Sequence, residues 1–553
     1  MTDRRKNRAI ALGFATALVG GTGCAMIQSP MPAGANIQRP LSAQRLPPPP
    51  APGKLPEPPK STPITKETPP TPAAPSTATL SLPEVIISTQ THFPLLYAVE
   101  QERAISAGQR TSAEGQFDTM FRVRGLNQGG TFANGRLDLG LEQALPIGGA
   151  SVFSGWRLGN GDFPIYYGDR KTADGGEFRA GVTVPLFQNR DIDPRRARLR
   201  AAQITELLAD PIIRRARLDF MRNAAQTYWS WVGAGAQYTV AAEVLQLARD
   251  RQAFIDEQRK EQLVTETVQV LNRRLIASRE EQLLFAERQL QQSAVRLSLF
   301  LRNANGDPVI PSSDRLPVAF IDFTPTRPNP AQIEPDIAVA IIQRPETARF
   351  MLQKERAAVD LKLASNQLYP VVNVFAAAAQ DAGSAKRTFT GDGPFSTERT
   401  TVEVGLAVEV PLQRRDAVGR IQTAQAQITQ LHLQERNARD EITAQVQDAA
   451  SELDLTYKRI EKARVELREA IRVRDLQAES FRGGQSSLVE LNLQEVAAAE
   501  AKTKVVAILS SYFRAVAEYL AALGADPLNP SNLGGRVPPQ SGPVQSAPSR
   551  MKP

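Results

Sequence analysis

Residues 417–482 contain no proline, and their apolar and small side chains recur with a heptad period. From residue 442 to residue 470 the spacing alternates between four and three positions, which is typical of a coiled-coil seam. One unbroken helix over this stretch would be on the order of 100 Å long, far longer than an ordinary globular helix. The abundant small residues favour close packing in an array of helices. The seam consists of Ile442, Val446, Ala449, Leu453, Thr456, Ile460, Ala463, Leu467 and Ala470.

Other segments alternate apolar and polar residues with a period of two, which predicts β-strands. In residues 400–410, for example, valine and leucine alternate with threonine, glutamate, glycine and alanine. Such strands suit either a half-buried soluble sheet or a membrane barrel whose apolar face meets lipid. Further candidate strands are residues 117–125, 136–143, 151–159, 176–184 and 371–380.

The sequence pattern at the junction between a strand and a long helix occurs twice in the chain. VTVPLFQNRD (182–191) and VEVPLQRRD (408–416) each end a strand at Pro-Leu, and a polar cluster and a long helical pattern follow. Proline suits this place because it ends a strand without leaving a ladder donor unpaired. The predicted junction residues are Pro185, Leu186, Pro411 and Leu412.

Two further echoes support an internal duplication. Pro94 and Pro345 each stand at the start of a helical pattern, and the strand regions that follow are predicted to begin at Phe117 and Leu368. Later in each half, TETVQVLN (265–272) resembles QSSLVELN (485–492), with Leu-Asn aligned at the end of both. Each half therefore predicts a helix, strands, a Pro-Leu junction, a long helix, a turn and a helix.

Composition argues against several functional classes. The formal charge of +8 is mild for 553 residues, and with 6% aromatic residues the chain lacks the stacking platforms of a nucleic-acid binder. His92, His432 and Cys24 are the complete set of histidines and cysteines, which builds neither a zinc site nor a Cys/His nucleophile pair. The carboxylate pair Glu280-Glu281 lies on a polar helix face. We therefore expect no enzyme, no metal and no cofactor.

The N-terminal segment has the layout of a secretory signal. Residues 4–8 are basic, residues 9–20 are apolar, and small residues precede Cys24. This resembles a lipobox, which predicts a signal peptide at residues 1–23 and acylation of Cys24, although Gly21 stands where leucine is usual. Plain signal cleavage nearby, with an incidental thiol, is the alternative.

Proline-rich segments flank the patterned part of the chain. Residues 24–79 would be an anchor segment and an extended linker, and residues 528–553 would be a disordered tail.

From about Leu80 to Gly524 the chain resembles the TolC-like outer-membrane efflux proteins, in a lipoprotein form. The resemblance rests on element order, the repeated Val-Pro-Leu junction, the tip-like segment FRGGQSSLVELNLQEVAAAEAK (481–502) and the closing helix at residues 510–524. It implies a mainly α, internally duplicated chain with a membrane β-barrel. Three copies would form an α-barrel of long coiled-coil helices across the periplasm and one shared outer-membrane β-barrel.

The resemblance also implies boundaries for two repeats. The first would span residues 80–325, with strands at about 117–186 and a tip near 258–272. The second would span residues 326–527, with strands at about 368–411 and a tip near 482–492.

The implied function is that of the channel in a tripartite efflux or type I secretion system. The implied partners are two further copies of the chain, a periplasmic adaptor (membrane fusion) protein, an inner-membrane transporter and outer-membrane lipid. A periplasmic coiled-coil adaptor or scaffold lipoprotein is the rival interpretation. An adaptor should show one hairpin flanked by small β-domains, whereas two strand-bearing halves favour the channel.

One departure concerns the strands. The family usually has four strands per chain, but residues 135–159 predict an additional hairpin that turns at residues 146–149. The strand count and the first extracellular loop, near residues 160–176, stay open at this point.

The resemblance places a periplasmic gate at the tips. The acid that matches the family pattern is Glu490, and three copies would form a carboxylate ring that attracts cations. Leu493 stands where some relatives have a second acid, the other tip offers Glu266, and Gly483 with Gly484 would permit the turn. The alternative is that Glu490 is an ordinary solvated helix residue.

We predict that palmitate labels the wild-type protein and that Cys24→Ala abolishes the label, because Cys24 provides the chain's single thiol. Metabolic labelling of the two proteins decides this. Equal labelling, or none in the wild type, would remove the lipid anchor and leave the channel interpretation intact.

Overall fold

The computed structural model describes residues 79–163, 172–317, 320–383 and 400–525. The predicted signal peptide, Cys24, nearly all of the proline-rich linker and the C-terminal tail lie outside the described residues. The same holds for residues 164–171 of the predicted first extracellular loop.

Eight α-helices and six strands make up most of the described chain. In chain order the helices are α1 (Leu82–His92), α2 (Pro94–Glu114), α3 (Pro194–Lys260), α4 (Glu266–Leu297), α5 (Ile333–Gln343), α6 (Pro345–Asn366), α7 (Arg415–Arg482) and α8 (Leu488–Ala522). The strands are β1 (Met120–Gln128), β2 (Asn134–Ala144), β3 (Ser151–Gly161), β4 (Glu177–Pro185), β5 (Val371–Asp381) and β6 (Thr400–Glu409).

The order of elements is the same in the two halves. Helix α2, strands and the hairpin α3–α4 form the first series, and α6, strands and the hairpin α7–α8 form the second. Pro94 and Pro345 are the first residues of α2 and α6. A first-turn proline suits a helix because its missing N–H would have no intrahelical partner there.

Both predicted strand starts are too early. Phe117 lies in a 3₁₀ turn that ends α2, and the amide of Leu368 donates to the carbonyl of Ser365 in the turn that ends α6. The strands themselves begin at Met120 and Val371. Phe117 is in phase with Phe121 and Val123, so the pattern did not separate the first turn from β1, whereas Leu368 was placed by its parallel with the first half.

The predicted long helix is present as α7, which has 68 residues, and α3 has 67. Each is on the order of 100 Å long. The seam positions from Ile442 to Ala463 are buried, while Leu467 and Ala470 are half-buried. Helix α7 packs most extensively against α8, and it also packs against α5 and α6.

The main core lies where the middle of α3 meets α8. Trp229 stacks on Phe513 with ring centroids 4.2 Å apart, and Ser510 donates a hydrogen bond to the carbonyl of Trp229 at 2.8 Å. Tyr228 donates to the carbonyl of Leu80 at 2.9 Å, which fixes the start of the described chain to α3. Helix α8 is the one described helix that is long and apolar enough to cross a membrane, and 67% of its most apolar window is buried. This burial fits a core helix.

The six strands form one antiparallel sheet in the order β1-β2-β3-β4-β5-β6. The predicted additional hairpin is therefore present as β2–β3, and it is paired along its whole length from Asn134↔Gly161 to Ala144↔Ser151. The strand count that the sequence left open is six within the described residues.

The two faces of the sheet differ in chemistry. Residues directly opposite in antiparallel strands share a face, and this register puts all of the charged residues of the six strands on one side. Several of them form ion pairs, among them Arg122–Glu142 at 2.9 Å and Arg179–Glu403 at 3.0 Å. The charged residues are Arg122, Arg124, Arg136, Asp138, Glu142, Arg157, Glu177, Arg179, Asp381, Glu403 and Glu409.

The opposite face is apolar from one edge of the sheet to the other. Val404 on the edge strand β6 is 72% exposed, and Phe121 on the opposite edge strand β1 is 64% exposed. The chain itself therefore leaves this face uncovered. It carries Phe121, Val123, Leu137, Leu139, Leu141, Val152, Trp156, Leu158, Phe178, Val182, Val184, Val372, Val374, Val402, Val404, Leu406 and Val408.

Candidate functional site at the helix tips

The two helical hairpins turn at the same end of the molecule. Helix α3 turns into α4 at residues 261–265, and α7 turns into α8 at residues 483–487. The rings of Phe254 and Phe481, near the ends of α3 and α7, lie 6.5 Å apart. The structure thus brings the two predicted tip segments side by side.

Gly484 has the left-handed backbone conformation that the tip turn requires, with φ of 72°. Its amide donates to the carbonyl of Phe481 at 3.1 Å, and the amide of Gln485 donates to Ser480 at 2.9 Å. This pattern is a Schellman motif, which pairs carbonyls left over at a helix end. Gly483 has an ordinary φ of −77°, so the requirement for glycine falls on Gly484 alone.

The other tip builds the same turn without glycine. Gln262 has φ of 58° and donates to Arg259 at 3.1 Å, while Leu263 donates to Gln258 at 2.9 Å. The sequence did not identify Gln262, because glutamine gives no signal for this conformation.

The helix-capping residues align the two tips in a different register from the sequence alignment on Leu-Asn. Thr265 is the N-cap of α4 and Ser487 is the N-cap of α8. The turns therefore match Thr265 with Ser487, whereas the alignment on Leu-Asn matched it with Gln485.

Glu490 forms a capping box at the start of α8. Its carboxylate accepts from the Ser487 amide at 3.1 Å, and its own amide donates to the Ser487 hydroxyl at 3.2 Å. The side chain stays exposed, as do those of Leu493 and of Glu266, the first residue of α4. The carboxylate thus caps the first turn of α8 while it stays exposed.

A buried charged cluster lies just behind the tips. Arg251 of α3 and Arg279 of α4 both donate to the carboxylate of Glu495 on α8, and the three side chains are 4–8% exposed. Arg251 also donates to Asn272 at 2.9 Å, and Arg279 donates to Asn492 at 2.8 Å. The cluster joins the two hairpins through charge-assisted hydrogen bonds, which are the strong ones.

Sequence reasoning missed this cluster because charges on long helices ordinarily face water. A signal was present: Glu495 falls between Leu491 and Ala498 in the spacing of the buried seam of α8, so a charge interrupts an apolar stripe. Two guanidinium groups share one carboxylate here, and Nη2 of Arg251 is buried without a hydrogen-bond partner. The cluster therefore depends on Glu495.

Asp256 adds a second polar link between α3 and α4. Hydrogen bonds from Gln269 and Gln252 to its carboxylate lower the pKa of Asp256. The group therefore stays ionised near neutral pH, close to the tip.

The predicted strand–helix junctions lie at the opposite end of the long helices. Pro185 is the last residue of β4, and the amide of Leu186 donates to the Val372 carbonyl at 2.7 Å. Pro411 and Leu412 follow β6, and Leu412 is 86% exposed.

The two long helices begin differently. Asp193 caps α3 by accepting from the amides of Arg195 and Arg196. Arg414 precedes α7 in a left-handed conformation, with φ of 49° and no side-chain cap.

Within the described residues, no group of three or more His, Cys, Asp or Glu side chains is placed to hold a metal ion.

No family model matches the chain, and no curated protein matches its sequence. Solved structures do match. The MtrE outer-membrane channel of Neisseria gonorrhoeae, in its open state, is 13% identical with a TM-score of 0.59, and the match covers 80% of this chain and 89% of that one. The VceC outer-membrane protein of Vibrio cholerae is 16% identical with a TM-score of 0.56, over 80% and 96% of the two chains.

The CmeC outer-membrane channel of Campylobacter jejuni agrees with these, at 14% identity and a TM-score of 0.55 over 80% and 85% of the two chains. The chain has the fold of the TolC-like outer-membrane factors. The sequence prediction of this fold is confirmed.

We predict that Glu495→Gln lowers the free energy of unfolding by about 3–5 kcal/mol, because two buried arginines lose their shared counter-charge. The measurement is the helical unfolding transition of the detergent-purified protein. Glu500→Gln, an exposed change on the same helix, is the matched control and should shift stability by less than about 0.5 kcal/mol. Equal stability of the two variants would contradict a structural role for the cluster.

Proposed function

We propose that this protein is the outer-membrane channel of a tripartite efflux or type I secretion system. The observation that carries the proposal is the sheet, whose one face is uncharged and mainly apolar and whose other face holds all of its charges. Those are the requirements of a barrel wall with lipid outside and water inside. The TolC-like fold and the long paired hairpins support the same function.

In the proposed assembly three copies of the chain form the working unit. Their sheets join in the outer membrane, and their hairpins extend into the periplasm as a tube of helices. Conduction is passive, and a periplasmic adaptor docks at the tips and connects them to an inner-membrane transporter. Cys24 adds a lipid anchor, and the two series of elements reflect an internal duplication.

The adaptor or scaffold interpretation is less well supported. An adaptor built on a coiled coil should show one hairpin flanked by small β-domains. The described chain has two long hairpins and a single sheet drawn from both halves. The matched solved structures are outer-membrane proteins and channels rather than enzymes.

We propose further that Glu490 contributes to the periplasmic gate. Its carboxylate is exposed at the tip of the second hairpin, and in three copies it forms a ring that attracts cations. Leu493, on the same face one turn on, supplies no second acid, so the ring is single. Glu266 at the neighbouring tip adds negative charge nearby.

We expect Leu406→Arg to impair assembly in the outer membrane, because a charge on the lipid face near mid-depth costs about 2–4 kcal/mol. Ala407→Arg is the matched control, since it lies at the same depth on the charged face. Glu403 would be a poor control because it pairs with Arg179. The readout is the amount of oligomer in outer-membrane fractions, and equal loss in both variants would show the facing to be wrong.

For the gate, we predict that Glu490→Gln weakens cation preference and block by divalent and trivalent cations in planar-bilayer recordings. Glutamine can still close the capping box, so this change isolates the charge. Ser487→Ala removes the cap and keeps the charge, and should leave the ion preference unchanged. Unaltered preference and block in Glu490→Gln would exclude Glu490 from the gate.

A further inference from the structure

We infer that the exposed edge of β6 pairs with the edge of β1 in a second copy of this chain, so that three copies close a barrel of eighteen strands. The inference rests on the proposed function, which supplies the membrane and the three copies. It goes beyond that function because the resemblance implies four strands per chain and hence a barrel of twelve.

Two edges of the sheet are available for pairing with a second copy. Within the described residues, no strand pairs with the outer edge of β1 or of β6. The next candidate edge, that of β3, is occupied by β2 over its full length, from Asn134↔Gly161 to Ala144↔Ser151. A second copy could reach β3 only by displacing this entire ladder. Pairing at the outer edge of β1 would displace no existing ladder.

Strands β1 and β2 match the other four strands in length and in the apolar face that they carry. The six strands are 9 to 11 residues long, which is the length that spans a bilayer at a barrel tilt. The apolar face continues without a break, since Val123 lies opposite Leu139 and Leu139 lies opposite Trp156. If β1 and β2 stayed in water, their apolar face would remain exposed to solvent and would not be buried against lipid or protein.

The directions of the two edge strands also suit this pairing. Neighbouring strands in the sheet are all antiparallel, so with six strands β1 and β6 run in opposite directions. Joining β6 of one copy to β1 of the next therefore continues the antiparallel pattern. It also satisfies the edge backbone groups, which lipid cannot do.

Closure at eighteen strands has a functional consequence. With strands about 4.8 Å apart and tilted by about 40°, eighteen strands give a backbone diameter of about 36 Å, against about 24 Å for twelve. Barrels of 16–18 strands enclose an aqueous channel. The outer opening would thus admit bulkier cargo than a twelve-stranded barrel, and size selection would fall to the helix tips.

Disulfide cross-linking tests the pairing directly. Single cysteines on β6 at Val402, Val404, Leu406 or Val408 are combined in one chain with a cysteine on β1 at Phe121 or Val123. A second series combines the same β6 positions with a cysteine on β3 at Val152 or Leu158. The parent chain, with Cys24 alone, is the control for background cross-links, and oligomer in the outer-membrane fraction is the control for folding.

We expect at least one β6–β1 pair to give disulfide-linked dimers and trimers on oxidation, with no β6–β3 product. A β6–β3 product would show a twelve-stranded barrel and overturn the inference, while the channel proposal would stand. Oligomers with no cross-link in either series would overturn the inference as well. A chain that forms no membrane oligomer would overturn the channel proposal, and the inference with it.

Thiol accessibility gives an independent check on β2. Leu139→Cys and Gly140→Cys probe the two faces of β2, and Leu406→Cys and Ala407→Cys probe those of β6. A membrane-impermeant thiol reagent should label Gly140→Cys and Ala407→Cys and spare the other two. Labelling of both faces of β2 with alternation kept in β6 would place β2 outside the barrel; loss of alternation in both strands would contradict the membrane barrel itself.

Discussion

The backbone groups at a sheet edge need partners, and this constraint organises the rest of the molecule. The described chain ends its sheet at β1 on one side and at β6 on the other, with an apolar face open across all six strands. An edge of this kind is a template for pairing with another chain. In a membrane the constraint is stricter, because hydrocarbon offers no hydrogen bonds. These constraints support the proposal that the sheet is one segment of a closed wall to which other copies contribute.

The helices meet a related constraint at the other end of the molecule. Helices on the order of 100 Å long extend well beyond the main core at the middle of α3, so α7 relies on a narrow seam of small and apolar residues. Near the tips the seam gives way to the cluster of Arg251, Arg279 and Glu495, which joins the two hairpins by buried charge. The capping box of Glu490 and the left-handed Gly484 then complete the turn. Polar interactions thus hold the tip segments together alongside the buried side chains of Ile255, Leu488 and Leu491.

Much of this architecture could be predicted from the sequence because it depends on period. The heptad seam of α7, the alternation of the strands, the additional hairpin and the Pro-Leu junctions are all patterns along the chain. The positive φ of Gly484 followed from the residue type. What was missed depends on tertiary structure: the burial of Glu495 and Arg279, and the left-handed Gln262. The first strand start was placed too early because Phe117 is in phase with the strand that follows, and the second followed from its parallel with the first half.

The central claim is that several copies of this chain form a transmembrane pore, and single-channel recording of the purified protein tests it most directly. The mass of the oligomer should be determined on the same sample. The account predicts discrete conductance steps in a planar bilayer from a particle of three chains. A protein of that mass that leaves the bilayer insulating, or a monomer that gives no steps, would contradict it.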